Sequence, residues 1–267
     1  MIKNYKQKKL LITGGANGLG KEIVIHFAPL MKEIIFVDKS IKEGKLLEKN
    51  LNKKGYNVKF YFCDLSNLKN SSKTFNTIFK KHRQISFLIN NAKDNNKSDF
   101  KDETLKSWIK TVNIVLNSSF LLIQKFIKQK KNITELKSII NITSILVDLI
   151  DHKPPSYQVA KTGLSKLTEY YAVQAAENCN FRINNISPGN LIQKRHLGRF
   201  NRKNNSIYKK QYLSTTPLKT HLTENDIIET IEFLFSDSSN YYNGETFNLH
   251  GGASFMANTM SLKRSKK

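Results

Sequence analysis

Short apolar runs alternate along the chain with longer stretches in which apolar residues recur every three or four positions. Leu10 to Thr13, Glu33 to Asp38, Val58 to Asp64, Ile85 to Ala92, Ile139 to Ser144, Phe181 to Ser187 and Glu245 to His250 are four to eight residues long, the length of buried strands. Helical periodicity runs through Glu22 to Phe27, ending near Pro29, and over Ile41–Lys54, Leu68–Lys81 and Thr104–Lys128. A long helix opens at Tyr157, with Leu164, Leu167, Tyr171 and Ala175 as an apolar stripe for the sheet. Asn180, just before the sixth run, suits a left-handed residue. Thr223-Glu224-Asn225-Asp226 starts a helix of about twelve residues, with threonine as N-cap and acids at the positive end of the helix dipole. Leu146 to Pro155 reads as a loop.

Thr13-Gly14-Gly15-Ala16-Asn17-Gly18-Leu19-Gly20 joins the first strand to the first helix. Three glycines in a turn mean little alone, but in a strand-to-helix link each has a role. Gly14 permits the tight turn, Gly18 lets backbone approach a pyrophosphate, and Gly20 lets the helix pack closely. Asp38 follows Gly20 by eighteen residues at the end of the second strand. A carboxylate there accepts hydrogen bonds from ribose hydroxyls and repels a 2′-phosphate, which selects NAD(H), and Asn17 offers no cation to offset it. Lys39 leaves NADP(H) open, and capping the next helix is the alternative role for Asp38.

Farther along, Ser144 precedes Tyr157 by thirteen residues and Lys161 follows at i+4. Tyrosine and lysine at that spacing share a helix face, which sets an ammonium beside a phenol of ordinary pKa about 10. Lowering that pKa by two to three units needs roughly 3–4 kcal/mol, and a charge about 4 Å away at an effective dielectric of ~20 supplies about that much. Y-x-x-x-K is nearly uninformative by itself. In company with the glycine loop, Ser144, Pro188-Gly189 and Gly251-Gly252, in this order and spacing, it makes the chain resemble the short-chain dehydrogenase/reductase family over about residues 8–253.

The resemblance implies a single α/β domain spanning 1–267, a doubly wound seven-stranded parallel sheet of Rossmann type with helices on both faces. It also implies NAD(P)-dependent hydride transfer between a nicotinamide and a carbonyl or secondary alcohol. Tyr157 is then the acid/base, Lys161 lowers its pKa and binds the nicotinamide ribose, and Ser144 polarises the substrate oxygen. Asp64 is the acid at the adenine edge, with Leu65 packed on the ring. Asn91 and Ala92 border the cofactor, as do Pro188, Gly189 and Leu191. Residues 190–223 become a substrate lid, 254–267 a basic tail ending Lys263-Arg264-Ser265-Lys266-Lys267, and the assembly a homodimer or homotetramer.

Four positions depart from the family pattern. Lys93 stands where a glycine follows Asn-Asn-Ala, so its backbone must avoid φ > 0 or be strained. Counting from Trp108 forward and from Phe120 back puts the family's catalytic asparagine at Val115; Asn113 is two residues, about 200°, out of register. Valine lacks the group that holds a relay water, so an attenuated enzyme is expected, the backbone carbonyl keeping part of that contact. Gln193 replaces a threonine and His250 an aspartate. These departures motivate a competing reading, a non-catalytic dinucleotide-binding protein of the same fold.

Composition narrows the partners. The chain of 267 residues has a formal net charge of +23 but carries no recognised nucleic-acid motif, and its lysine is spread throughout, so nucleic acid is not the expected partner. The first residues lack a signal peptide's hydrophobic stretch, and no apolar run reaches membrane-spanning length. Cys63 and Cys179 form neither a C-x-x-C pair nor a disulfide framework, and His196 and His221 are isolated; no metal site and a cytoplasmic location are expected. Residues 190–223 hold eight Lys or Arg, among them Arg195 and Arg199, and no acid. That sign points to an anionic small-molecule substrate, such as a nucleotide-linked sugar or an acyl thioester.

Overall fold

Every apolar run expected to be a strand enters one sheet. The computed structural model describes residues 5–95, 98–99, 101–129, 137–174 and 181–256. Its strands are β1 (Lys9–Thr13), β2 (Glu33–Asp38), β3 (Val58–Phe62), β4 (Phe87–Asn90), β5 (Lys137–Ile142), β6 (Phe181–Pro188) and β7 (Thr246–Leu249). All pair in parallel, in the order β3-β2-β1-β4-β5-β6-β7. The order reverses between β1 and β4, which opens a crevice at the carboxyl ends of the strands.

The helices are α1 (Gly18–Phe27), α2 (Ile41–Asn52), α3 (Leu68–Lys81), α4 (Leu105–Val112), α5 (Ser118–Ile127), α6 (Pro155–Gln174), α7 (Lys194–Phe200), α8 (Ser206–Ser214) and α9 (Glu224–Phe235). Because successive strand residues point to opposite faces, Leu10 and Ile12 pack with Ile23, Leu47 and Ile231 of α1, α2 and α9. Leu11 faces the other way, into a cluster with Phe75, Ile123 and Leu164 of α3, α5 and α6. Each such wholly buried side chain stabilises the fold by roughly 1.5–3 kcal/mol.

A second kind of interaction crosses the sheet. Asn90, Asn141, Asn185 and Thr246 occupy paired positions on β4, β5, β6 and β7. Asn90 donates to Asn141 at 2.7 Å, and Asn141 donates to Thr168 of α6 at 2.7 Å. The Thr168 hydroxyl lies 2.7 Å from the Asn185 carbonyl oxygen and 3.1 Å from that of Leu164, and Asn185 donates in turn to Ser165 and Thr246. The three asparagines are buried, so these bonds replace water they have lost, the Asn90 side-chain oxygen alone among their amide groups being without a partner.

Several boundaries differ from expectation for local reasons. β3 ends at Phe62 because the Asp64 carboxylate folds the chain back, accepting from the Ser66 N–H and hydroxyl. β4 ends at Asn90 because the next two N–H groups turn to the Thr13 hydroxyl, each at 3.0 Å. The helix expected over 104–128 is three pieces: between α4 and α5, Asn113–Asn117 form a π turn in which the Ser118 N–H bonds to the Asn113 carbonyl. Carbonyls spared by the wider turn accept hydroxyls instead, Ser118 to Ile114 and Ser119 to Val115, both at 2.7 Å. α6 begins at Pro155, which suits a first helical turn, and the loop before it contains a short 3-10 turn at Ile145–Val147.

The α6 stripe packs on the sheet. Leu164 and Tyr171 are buried in the cluster that holds Leu11, and partly buried Leu167 packs against it. The apolar residues that α6 exposes are Val159, Tyr170 and Val173, joined on α4 by Leu105 and Ile109. Ala175, Cys179, Asn180 and the basic end from Lys263 lie outside the described residues. Among the described residues no helix is long and apolar enough to cross a membrane.

Candidate active site

One cleft of about 260 Å³ opens at the strand ends and collects every residue assigned from sequence to cofactor or chemistry. Gly14, Asn17, Gly18, Leu19, Gly20, Asp38, Asp64, Leu65, Asn91 and Ala92 line it from the side of β1 to β4. Ser144, Tyr157, Lys161, Pro188, Gly189 and Leu191 line it from β5, α6 and β6.

The glycine wall is built from backbone. Gly18 has φ +52°, and a Cβ there would stand 3.0 Å from the Gln193 side-chain nitrogen. At Gly20 the reason is space: a Cβ would sit 2.1 Å from the Gly14 carbonyl oxygen, within the loop itself. Asn91 clamps the loop by donating to the carbonyls of Thr13 and Gly14 at 2.9 and 3.2 Å. α1 starts without a side-chain cap on its first N–H groups, which suits an anion there. Asp38 accepts the Ala16 N–H at 3.0 Å through one oxygen and the Ser40 N–H at 2.9 Å through the other. It therefore ties the turn before α2 to the loop, while each oxygen keeps further acceptor capacity.

The opposite wall is built from side chains. Glu103 accepts from the N–H of Ser156 at 3.0 Å and from its hydroxyl, placing an acid at the positive end of α6. Ser144, buried just past β5, accepts the Leu146 N–H at 3.2 Å. Burial raises the Tyr157 pKa, and the nearby Ser144 hydroxyl opposes that shift by favouring the phenolate. Lys161, 2% exposed, donates to the Ile142 carbonyl and has its Nζ 5.8 Å from the centre of the Tyr157 ring. Burial first and then the charge of Lys93 bring its pKa down to about 7. The simple picture of a full ammonium next to a ready phenolate thus changes, because desolvation penalises the charged form of both groups.

Lys93 lines the cleft with an ordinary backbone: among described non-glycine residues, positive φ occurs only at Gln84 and Lys219. Val115 is 1% exposed and packs in the apolar cluster on the α6 side of the sheet, whereas its neighbour Ile114 reaches the cleft. Asn113 donates to the Ser66 carbonyl at 3.0 Å and accepts from Asn117 at 2.8 Å. Gln193 lays its amide over Gly18, with its side-chain oxygen buried and without a partner. His250 accepts the Gly252 N–H on Nδ1, so Nε2 carries the proton and donates to Ser254 at 2.9 Å. This ring latches the turn after β7 and is no base toward that serine.

Within residues 190–223, Arg195 reaches the cleft. The start of α7 is pinned by buried Glu224, whose two oxygens accept the Lys194 N–H at 2.9 and 3.1 Å. Glu224 looks from sequence like an ordinary first-turn acid of α9, and its reach of thirty residues has no local signal. Lys93, Gln193 and Arg195, which the sequence places at the cofactor cleft or among the cations for an anionic substrate, line the cleft, and Ile114 joins them without any role expected from sequence.

A family model described as "Enoyl-(Acyl carrier protein) reductase" matches residues 14–254. The chain is 28% identical over 250 residues to a 3-oxoacyl-acyl-carrier-protein reductase of Buchnera aphidicola subsp. Schizaphis graminum, covering 92% of this chain and 97% of that one. It is 25% identical over 264 residues to a 7alpha-hydroxysteroid dehydrogenase of Bacteroides fragilis, covering 98% and 100%. In fold it is similar to a putative gluconate dehydrogenase from Agrobacterium tumefaciens, with a TM-score of 0.83 at 20% identity over 96% of this chain and 100% of that one.

Proposed function

Since this chain belongs to the short-chain dehydrogenase/reductase family, whose relatives mark it as an oxidoreductase of carbonyl and CH–OH groups, we propose that its cleft binds NAD(H) and that Tyr157 is the acid/base. The observation that carries this reading is the convergence of Ser144, Tyr157, Lys161 and the glycine loop on one cleft from separate parts of the chain. The cradle suits a dinucleotide. Gly14 and Gly18 are left-handed, the first N–H groups of α1 have no side-chain cap, and the buried Gln193 oxygen facing Gly18 has no partner, as a carboxamide donor would supply.

When bound, the nicotinamide supplies or accepts the hydride. Tyr157 protonates the substrate oxygen in reduction and takes the proton back in oxidation; its raised pKa keeps it in the acid form that reduction needs. Ser144 shares the oxygen and orients it. Lys161 steadies the phenolate as it forms. Asp38 favours NAD(H) over NADP(H), with Lys39 beside it in the cleft. The reading includes a single domain in a cytoplasmic setting and a small carbonyl or alcohol substrate carrying an anionic group. It also includes a homo-oligomer, formed through the exposed apolar residues of α4 and α6; light scattering at the single-chain mass of 30.7 kDa would contradict that last part.

The departures at Lys93, Val115 and Gln193, together with a lysine drawn down to about 7, favour the second reading, a dinucleotide-binding protein without turnover. One experiment separates the two: NADH and NADPH oxidation followed by absorbance against 3-oxoacyl thioesters, keto-sugars and nucleotide-linked sugars. Oxidation with any of them supports the enzyme; tight cofactor binding with none oxidised supports the second reading.

A further inference from the structure

The cleft contains more positive charge than its own residues neutralise. Lys93, Lys161 and Arg195 line it on the side of Tyr157 and the lid. Its lining acids, Asp38 and Asp64, lie on the glycine-loop side with oxygens bonded to N–H groups and to the Ser66 hydroxyl. Among the described residues Lys93, Lys153 and Arg195 form no ion pair with a carboxylate. The acid next in sequence to Lys93 is committed elsewhere: Asp94 is buried and accepts from Lys110 and Thr111, both at 3.1 Å. Lys93 keeps an exposed face, yet desolvation lowers its pKa, and the charges of Lys153 and then Arg195 lower it further.

Each cation stands on anchored backbone. Arg195 follows the Lys194 N–H that Glu224 grips. The loop bearing Lys153 is tied to α6 by the Gln158 amide, which donates to the carbonyls of Asp151 and Lys153 at 3.1 Å each. Lys93 extends the end of β4 that Asn91 locks to the glycine loop. Like charges fixed together without counter-charge repel, and an incoming oxyanion relieves that repulsion while gaining charge-assisted hydrogen bonds.

We propose that Lys93 and Arg195, which line the cleft together, form a subsite for an oxyanion of the substrate, a carboxylate or a phosphate close to the carbon that reacts beside Tyr157. The inference rests on the oxidoreductase reading above and deepens it, moving substrate recognition from the lid alone to a pair of cations that includes the position where the family pattern has glycine.

The test begins with cofactor binding to the full chain, read by nicotinamide fluorescence with NADH and NADPH. Inorganic phosphate and, separately, malonate are then titrated by calorimetry into protein saturated with the tighter cofactor. The expected result is binding of at least one anion with the cofactor retained, weakened about tenfold or more by Lys93→Met and by Arg195→Met and preserved by Lys93→Arg. Phosphate binding alone would assign a phosphate substrate, and malonate alone a carboxylate; either supports the subsite. Three outcomes overturn it with the oxidoreductase reading intact: no anion bound by the loaded protein, equal binding in the variants, or displacement of the cofactor by phosphate, which would give these cations to the cofactor's own pyrophosphate. Failure of both cofactors to bind would remove the underlying reading and the subsite with it. Unfolding midpoints of the variants show whether a loss of binding reflects a loss of folding.

Discussion

On the glycine-loop wall of the cleft, the groups that face a ligand are backbone N–H groups and two acids held by N–H donors; on the Tyr157 wall they are side chains, three of them cations, of which Lys161 is buried and Lys93 and Arg195 keep exposed faces. The first wall depends on conformation, which glycine and a short apolar strand determine locally. The second depends on electrostatics, and there burial and neighbouring charge shift the behaviour of each group from its ordinary value. Substitutions on the first wall should therefore change which cofactor binds and how tightly. Those on the second should change proton transfer and the response to pH.

The largest expected effect is on the second wall. Tyr157→Phe removes the titrating hydroxyl and should lower kcat by about 10²–10⁴ with cofactor affinity within about twofold, measured by steady-state rates and fluorescence titration. Retained turnover would end the proposed role. Next comes Lys161, whose folded pKa of about 7 lies below its unfolded value near 10.5. Between those values the unfolded chain binds more protons, so the wild type should gain stability as pH rises from 7 toward 10. Denaturant unfolding of the wild type minus Lys161→Met should show that gain, on the order of 3–5 kcal/mol across the window, and a flat difference would refute it.

A smaller effect tests the junction of the walls. Val115→Asn places an amide in an apolar cluster, and the Val115 carbonyl already accepts from Ser119. The structure therefore turns against the expectation that asparagine would improve a proton relay. Stability should fall by about 1–3 kcal/mol in urea, with no rise in kcat. Smallest is Asp38→Ala on the first wall, which should narrow the ratio of NADH to NADPH affinity by roughly tenfold, about 1.4 kcal/mol, in paired titrations. An unchanged ratio would leave Asp38 with its turn-holding bonds alone.

The first wall was legible in the sequence because its causes are local: a β-branched and leucine-rich run, glycines at fixed offsets, an acid at the next strand end. Ser144, Tyr157 and Lys161 were legible through their spacing, although their shifted pKa values were not, since these depend on burial and on Lys93, which is remote in sequence. The π turn escaped notice because its apolar periodicity differs by one residue from that of a helix, and Ser118-Ser119 is a weak sign. Glu103 and Glu224 hold helix ends far from them in sequence, and nothing in their own neighbourhoods marks that reach.

The row of Asn90, Asn141 and Asn185 bears on how the chain finds its arrangement. Runs such as Ile139-Ile140 are apolar on both faces, so sliding one strand past its neighbour by a residue would still bury isoleucine against isoleucine. An asparagine at one rung of each central strand ends that ambiguity. A slipped β5 would set Ile140 or Ile142 beside Asn90 and Asn185 and orphan several buried amides, at about 1–3 kcal/mol each. The three amides thus act as a proofreading code for strand alignment, and because β5 delivers Ser144 and β6 delivers Pro188, correct alignment is also what brings the two sides of the chemistry level with each other.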